Sequence, residues 1–476
     1  MLSLSSLALC AATLSGIVSA GNAPIKKTLT GHIDASEVFS FVYAPFEVEI
    51  GTTSIHVVQN YSAKDAGNAV DLGIFDQRGR SLAASRGWSG GVREQFTITP
   101  SWATPGYNPG PIEPGTWSVV LGPYTSIPEG IDWQLDIEMG FDPVDSYFAI
   151  DPAAINMDPL CNGRCTADGE WLRGDFHVHT VYSDGTYTPD EQMRIAVDQG
   201  LDFIFFTDHN TDTSNNVMGS YQHHAPELLV GRGMEVTTRA GHWQALGLEP
   251  HQLVEWRYDE SEGYAAAARE VRARGGLVSI NHPYFNCTAC DWAFDWDNND
   301  AVEVWNGDWD VTDELALARW QEVLVQGKFT TAIGGSDSHN PPTLNGMPTI
   351  VVRSHGKSQA GIVEGVKSGH VYMVHGPGME LSFKVKLPSL VRVDTAEIGD
   401  KVKTSTIGAM GVLETKGFAG QKACFVTDRG YVFNTTVRDD GMTKRFVPVG
   451  ANFMRVEMRN STDDAMLGMT NPVWFL

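Results

Sequence analysis

A chain of 476 residues with 42% hydrophobic side chains has the apolar content to fold and is too long for one ordinary core, so roughly two to four domains are expected and a disordered protein is excluded. Its 34 Lys and Arg against 58 Asp and Glu leave a formal net charge of -24. Such a field repels phosphate backbones and anionic membrane surfaces, which argues against nucleic acid as a partner.

The first twenty residues, MLSLSSLALCAATLSGIVSA, carry no charge and end in Val18-Ser19-Ala20, the small side chains that precede a signal-peptidase cut. They predict a secretory leader cleaved after Ala20; an uncleaved anchor is the alternative. No later run approaches the roughly 20 apolar residues of a membrane helix, so a secreted protein free of the membrane is expected. The cysteines fit an oxidising compartment. Beyond Cys10 there are two close pairs, Cys161 with Cys165 (CNGRC) and Cys287 with Cys290 (CTAC), and a lone Cys424. The pairs read as disulfides, with a structural zinc site as the alternative. Sequons at Asn60, Asn286, Asn434 and Asn460 permit glycosylation.

From 24 to 150 the chain runs in short alternating segments (VFSFVYAPFEVEI, TSIHVVQN, AVDLGIFD, EQFTITP, GTWSVVLG, WQLDIEM) broken by Gly and Pro turns. That pattern predicts a β-sandwich. From 171 to 375 strands alternate with helices. Thr188-Pro189-Asp190-Glu191 is a capping box with Pro at the first helical position, opening a helix that stops at Gly200 before the strand LDFIFFTDHN. The helix SEGYAAAAREVRARGG, strands LVSINHP and AVEVWNG, the helix DELALARWQEVLVQG and the strand TTAIGGSDSH follow. Such alternation predicts an α/β unit of parallel strands with crossovers. From 376 to 476 short strands return (ELSFKVKL, KACFVTD, YVFNTTVR, NFMRVEMRN), predicting a small C-terminal β domain.

In the α/β segment, metal-competent side chains recur where apolar strands end. His177 and His179 close GDFHVH; Asp208 and His209 close IFFTDH; Glu235 closes VGRGMEV; His282 closes LVSINH; Asp337 and His339 follow TAIGG. Carboxyl ends of parallel strands form the active face of βα architectures, so these residues are expected in one cavity. Asp175, His177 and His179 alternate along one strand face, and Asp337 with His339 do the same. His242 opens another apolar run seven residues after Glu235, so six of the fourteen histidines fall in these segments. Imidazole and carboxylate together suit Zn, Mn or Fe, and one carboxylate can bridge two ions.

HVHTVYSDG, TDHN, GMEVTTRAGHW, NHP and GSDSH, in this order, resemble the PHP superfamily of metallohydrolases, named for polymerase and histidinol phosphatase domains. The flanking β segments, the Gly-His-Trp stretch and the TNP near the C-terminus look most like its carbaryl-hydrolase-like subgroup. The resemblance implies a distorted seven-stranded βα barrel with up to three metals. Carried over by position, it implies one ion among His177, His179, Glu235 and Asp337, a second shared through Glu235 with His242 and His282, and a third held by Asp184, His209 and His339. Asp175 and Asp208, beside ligands, are expected to orient imidazoles rather than bind metal. Arg239 and Arg173 are candidates for binding an anionic substrate, and Trp243, Trp292, Trp305 and Trp309 for lining a pocket or for packing.

Grouped divalent ions perform hydrolysis: a bound water becomes hydroxide near neutral pH while the ions polarise the scissile group. No Ser-His-Asp elbow or phosphate-binding Gly-rich loop competes. The expectation is a secreted metal-dependent hydrolase of a small molecule, with a phosphate ester as the leading substrate class. A carboxylic ester, amide or carbamate is the alternative, favoured by a cavity poor in fixed cations, and a non-catalytic metal-loaded binding protein is the second.

Overall fold

The computed structural model describes residues 23–149, 169–388, 393–439 and 441–476. The expected leader with its end at Ala20, and the cysteines Cys161 and Cys165, lie outside the described residues.

The N-terminal segment forms two four-stranded antiparallel sheets. One runs in the order Ile25–Ile33, Ile131–Gly140, Ser54–Tyr61, Gln95–Ile98; the other Val42–Val48, Gly115–Thr125, Ala69–Phe75, Ser85–Trp88. Alternation along the strands puts Ile55, Val57, Leu135 and Ile137 of the first sheet against Val70, Leu72, Ile74, Trp117 and Val119 of the second in one buried cluster. Each such side chain stabilises by roughly 1.5–3 kcal/mol. The second sheet is also covered on its outer face. Phe75, Trp88 and Val120 pack with Trp243, Trp256, Tyr258 and Tyr264 of the following segment, which brings the sandwich against the α/β unit.

That unit contains helices Pro189–Asp198, Ser261–Ala273, Val311–Val325 and Gln359–Lys367. Thr188 caps the first with the expected reciprocal box to Glu191, and Asp310 caps the third with Asp313. Seven strands are hydrogen-bonded in sequence order: Glu170–Val178, Phe203–Phe206, Leu229–Thr237, His242–Leu246, Leu277–Ile280, Ala301–Asn306 and Thr331–Gly335. Six share one direction. His242–Leu246 alone is reversed, pairing antiparallel with both neighbours.

The seven strands do not close into the expected barrel by a continuous ladder. Residues 170–174 of the first strand give their second edge to the antiparallel strand Thr349–Ser354, so the seventh strand's continuation reaches the first only at its end, through a single Val178 to Ser338 bridge. The result is a mixed sheet of 15 strands. It continues through Val371–Val374 into Met466–Thr470, Phe453–Arg459, Lys422–Thr427 and Gly430–Thr436 of the C-terminal segment. A separate four-stranded antiparallel sheet, Val393–Glu397, Glu380–Pro388, Met410–Lys416 and Met442–Phe446, covers this end; Leu381 and Phe383 share a core with Val351, Tyr372 and Val374. Among the described residues no helix is long and apolar enough to cross a membrane.

Candidate metal centre

The common direction of the strands determines what meets what. Carboxyl ends of six strands gather at one edge of the sheet, and the reversed strand presents its start there, so His242, the first residue of its strand, joins side chains that end theirs. His177 and His179 are fully buried and share a face. His177 Nε2 lies 3.2 Å from both Glu235 Oε2 and Asp337 Oδ1, and His179 Nε2 lies 3.3 Å and 3.1 Å from the same two oxygens. The other Glu235 oxygen, Oε1, lies 3.2 Å from His242 Nδ1 and 3.0 Å from His282 Nε2. Nearer the cavity mouth, Asp184 stands 3.6 Å from His209 Nε2 and 3.3 Å from His339 Nε2. His179 also belongs to this outer group, its Nδ1 3.9 Å from Asp184.

The nine residues named for metal binding thus lie in one constellation, in sets whose donor atoms approach within 4.8 Å. Their fit to cations rests on atoms without partners. His177 Nε2, His179 Nε2, His242 Nε2, His282 Nδ1 and Asp337 Oδ1 are buried and make no hydrogen bond. Buried polar atoms are rarely left so, because each costs on the order of 1–3 kcal/mol. Separations of 3.0–3.3 Å around Glu235 and Asp337 are those of ligand atoms around a cation with bonds of roughly 2.1 Å. The electrostatics agree: burial pushes Glu235 and Asp337 up, but the surrounding imidazoles hold both carboxyls well below their ordinary range. The carboxylates in turn raise His177 well above its usual value against the effect of burial. This pocket favours positive charge.

Backbone geometry is unusual at the same place. Asp337 and His282 take φ of 51° and 21°, conformations that side-chain-bearing residues seldom adopt, and such strain concentrates at ligand sites. Gly335 is required two residues before Asp337, since any side chain there would collide with His177.

Asp175 holds backbone rather than an imidazole ring. It accepts from the amides of His177 at 3.0 Å, Ser336 at 3.1 Å and Gly346 at 2.7 Å, tying the first strand to the segment after the seventh. Asp208 accepts from the Thr180 amide at 2.9 Å and from Ser183 Oγ at 2.8 Å; Ser183 Oγ lies 3.4 Å from His179 Nδ1. It therefore fixes the loop leading to Asp184 and reaches an imidazole only through a hydroxyl. Arg239 faces the sandwich: its guanidinium lies 4.8 Å and 5.0 Å from the ring centres of Phe39 and Tyr124, with Asp71 at 3.8 Å. Arg173 donates to the carbonyls of Pro377 and Met379. Trp243 and Trp305 are fully buried packing residues.

Two residues not named as site candidates also hold the donors: Glu303, which lies in no motif, and Asn281, the first residue of NHP. Glu303 Oε1 lies 2.8 Å from His177 Nδ1, and its Oε2 accepts from the His282 amide at 3.0 Å. Asn281 Nδ2 donates to Glu235 Oε1 at 3.0 Å. An acid inside the apolar run AVEVW was the available signal for Glu303. The cavity, about 490 Å³, is bounded on its open side by Asp71, Trp88, Val92 and Tyr124 of the sandwich and by Phe285, Cys287 and Cys290 of the loop after His282. Cys287 and Cys290 form a disulfide, and the Tyr124 hydroxyl donates to the Thr288 carbonyl between them.

No protein-family model matches the chain. An uncharacterized protein of Methanocaldococcus jannaschii is 28% identical over 160 residues, spanning 28% of this chain and 82% of that protein. Among solved structures, the chain is similar to a two-domain protein of Bacteroides vulgatus containing a predicted PHP-like metal-dependent phosphoesterase, at 19% identity and a TM-score of 0.37, covering 64% of this chain and 96% of that one. It is also similar to an amidohydrolase from Chromobacterium violaceum, at 15% identity and a TM-score of 0.24, covering 35% of this chain and 88% of that one.

Proposed function

We propose that this protein is a metal-dependent hydrolase of small esters, with phosphate esters as the leading class, working with two or three divalent ions (Zn, Mn or Fe). The observation that carries this reading is the convergence of nine buried or cavity-lining donors on one pocket, several with no hydrogen-bond partner. Divalent ions held by these side chains would supply Lewis acidity and would make water a nucleophile near neutral pH. The chain's own part is positioning. Glu235 turns one oxygen to His177 and His179 and the other to His242 and His282, the geometry of a bridging carboxylate. Asp184, with His209 and His339, sets a further donor group at the mouth, where an entering substrate would meet it. The motif order supports placing the chain in the PHP superfamily, with the carbaryl-hydrolase-like subgroup and secretion after cleavage at Ala20 as parts of the same proposal.

The lining of the cavity favours a second reading. Among the described residues none that lines it is Lys or Arg, while Trp88, Val92, Tyr124 and Phe285 offer apolar surface, which suits a neutral carboxylic ester, amide or carbamate. The protein, freed of metal with a chelator and reloaded with Mn²⁺ or Zn²⁺, is to be tested on 4-nitrophenyl phosphate, bis(4-nitrophenyl) phosphate and 4-nitrophenyl acetate. Metal-dependent turnover of a phosphate ester is the expected result. Turnover of the acetate alone, or of a 4-nitrophenyl carbamate or 4-nitroanilide tested beside it, selects the second reading, and a fully metal-loaded protein that turns over none of these substrates supports a binding protein.

A further inference from the structure

The disulfide at the cavity wall joins two sulfurs in different surroundings: Cys287 is exposed, whereas Cys290 retains 1% of its surface. Donor atoms of Cys290, His242 and His282 lie within 4.8 Å of one another. Both histidines are more than nine-tenths buried. Each turns one ring nitrogen to Glu235 and leaves the other, His242 Nε2 and His282 Nδ1, buried without a partner. Two imidazoles and a cysteine are three of the four ligands of a tetrahedral site for a thiophilic cation. A disulfide sulfur carries no charge to complete it, but a thiolate does.

We propose that His242, His282 and Cys290 form a thiol-dependent binding site for Zn²⁺ that the Cys287–Cys290 disulfide keeps closed and reduction opens. A dithiol reductant supplies the electrons. Its thiolate attacks the exposed Cys287 sulfur, the S–S bond breaks, and the electron pair leaves on the Cys290 sulfur beside the two imidazoles. The reductant's second thiolate then displaces Cys287, which takes up a proton, and the reductant departs as a disulfide. The two imidazoles serve either Glu235 or Cys290, so reduction redirects the cation held by that pair. The site stands whether or not the protein turns over an ester.

The test uses the full chain, cleared of metal, in oxidised form and after reduction by a dithiol that is then removed without air. Co²⁺ is titrated as a spectroscopic stand-in for Zn²⁺, and the sulfur-to-cobalt charge-transfer band is read. The expected result is no band in the oxidised protein, and in the reduced protein a band whose final intensity accounts for one thiolate-bound Co²⁺ per chain, with that ion bound at least tenfold more tightly than any Co²⁺ in the oxidised protein. Cys287→Ser should show the band without any reductant, and Cys290→Ser should show none in either state. The proposal is overturned if reduced wild-type protein gives no band, or if the band survives in Cys290→Ser, which would assign it to another cysteine, the freed Cys287 included. Should Cys287→Ser fail to fold, reduced wild-type protein against Cys290→Ser decides the matter.

Discussion

His177 Nδ1 lies 2.8 Å from Glu303 Oε1 at a place where neither side chain reaches solvent. That bond turns the opposite nitrogen, Nε2, toward Glu235 and Asp337 and fixes which tautomer is offered to a cation. Glu303 also accepts from the His282 amide, so one carboxylate steadies ligands on both sides of Glu235. Glu303→Gln is expected to weaken metal binding roughly 10–100-fold while the chain stays folded. Competition with a calibrated chelator measures it, and an unchanged affinity would mean that Glu303 only packs.

Glu235→Gln removes the charge shared by the two inner donor groups. The variant should lose at least one metal equivalent per chain by elemental analysis, together with hydrolytic activity, because an amide can neither bridge nor neutralise two cations. Retention of the wild-type metal content would refute the bridging role.

The part of this centre visible in the sequence is the part that is local. Strand ends are marked by a change from apolar to polar residues, so His177, His209, Glu235, His282 and Asp337 could be gathered from pattern alone. Glu303 could not, because a single acid within AVEVW has no spacing to announce a partner 126 residues away. Nor could the wall made by Trp88, Val92 and Tyr124: it exists only because the outer face of a sandwich sheet docks on Trp243 and Trp256. The reversal of His242–Leu246 and the sharing of one sheet by the α/β and C-terminal segments are likewise pairing choices. Short buried strands do not encode these, since a run with both faces covered carries no alternation to reveal its neighbour.

Asp208 is a buried carboxylate whose acceptors are all committed to the Thr180–Ser183 loop. Replacing it by Asn removes the charge from these hydrogen bonds, each worth roughly 1.5–3 kcal/mol when charge-assisted. Urea unfolding should show a loss of about 2 kcal/mol or more. Metal titration should show the donor group containing Asp184 weakened more than the one around Glu235; equal weakening of both would contradict an effect transmitted through this loop.

Val92 stands at the cavity rim with 46% of its surface exposed. Val92→Lys adds a cation where the described lining has none, at little cost to folding. An attraction of about 1 kcal/mol lowers KM for 4-nitrophenyl phosphate roughly fivefold and leaves 4-nitrophenyl acetate unchanged. Equal effects on both substrates would show that substrates do not pass this rim.

Acid should loosen the seam between the helix Val311–Val325 and the C-terminal strands. Glu457 is fully buried and accepts from Arg455 Nη1 at 2.7 Å, Arg459 Nη2 at 2.9 Å and the Tyr431 hydroxyl at 2.7 Å, while Arg459 reaches Glu314 and Arg455 reaches Gln321 on that helix. Burial pushes the Glu457 carboxyl up, but the two guanidiniums outweigh it and hold it below its ordinary value of 4.5. A carboxyl depressed in the folded state contributes stability that is complete above the unfolded value and is lost as pH falls below it. Glu457→Gln leaves the buried guanidinium of Arg455 without an anion and Arg459 with Glu314 alone, at a cost of roughly 3–5 kcal/mol near neutral pH. The gap between wild type and variant, read from urea midpoints between about pH 6 and pH 3, should therefore narrow on acidification. A constant gap across that range would show that Glu457 stays ionised without the help of Arg455 and Arg459, or never ionises at all.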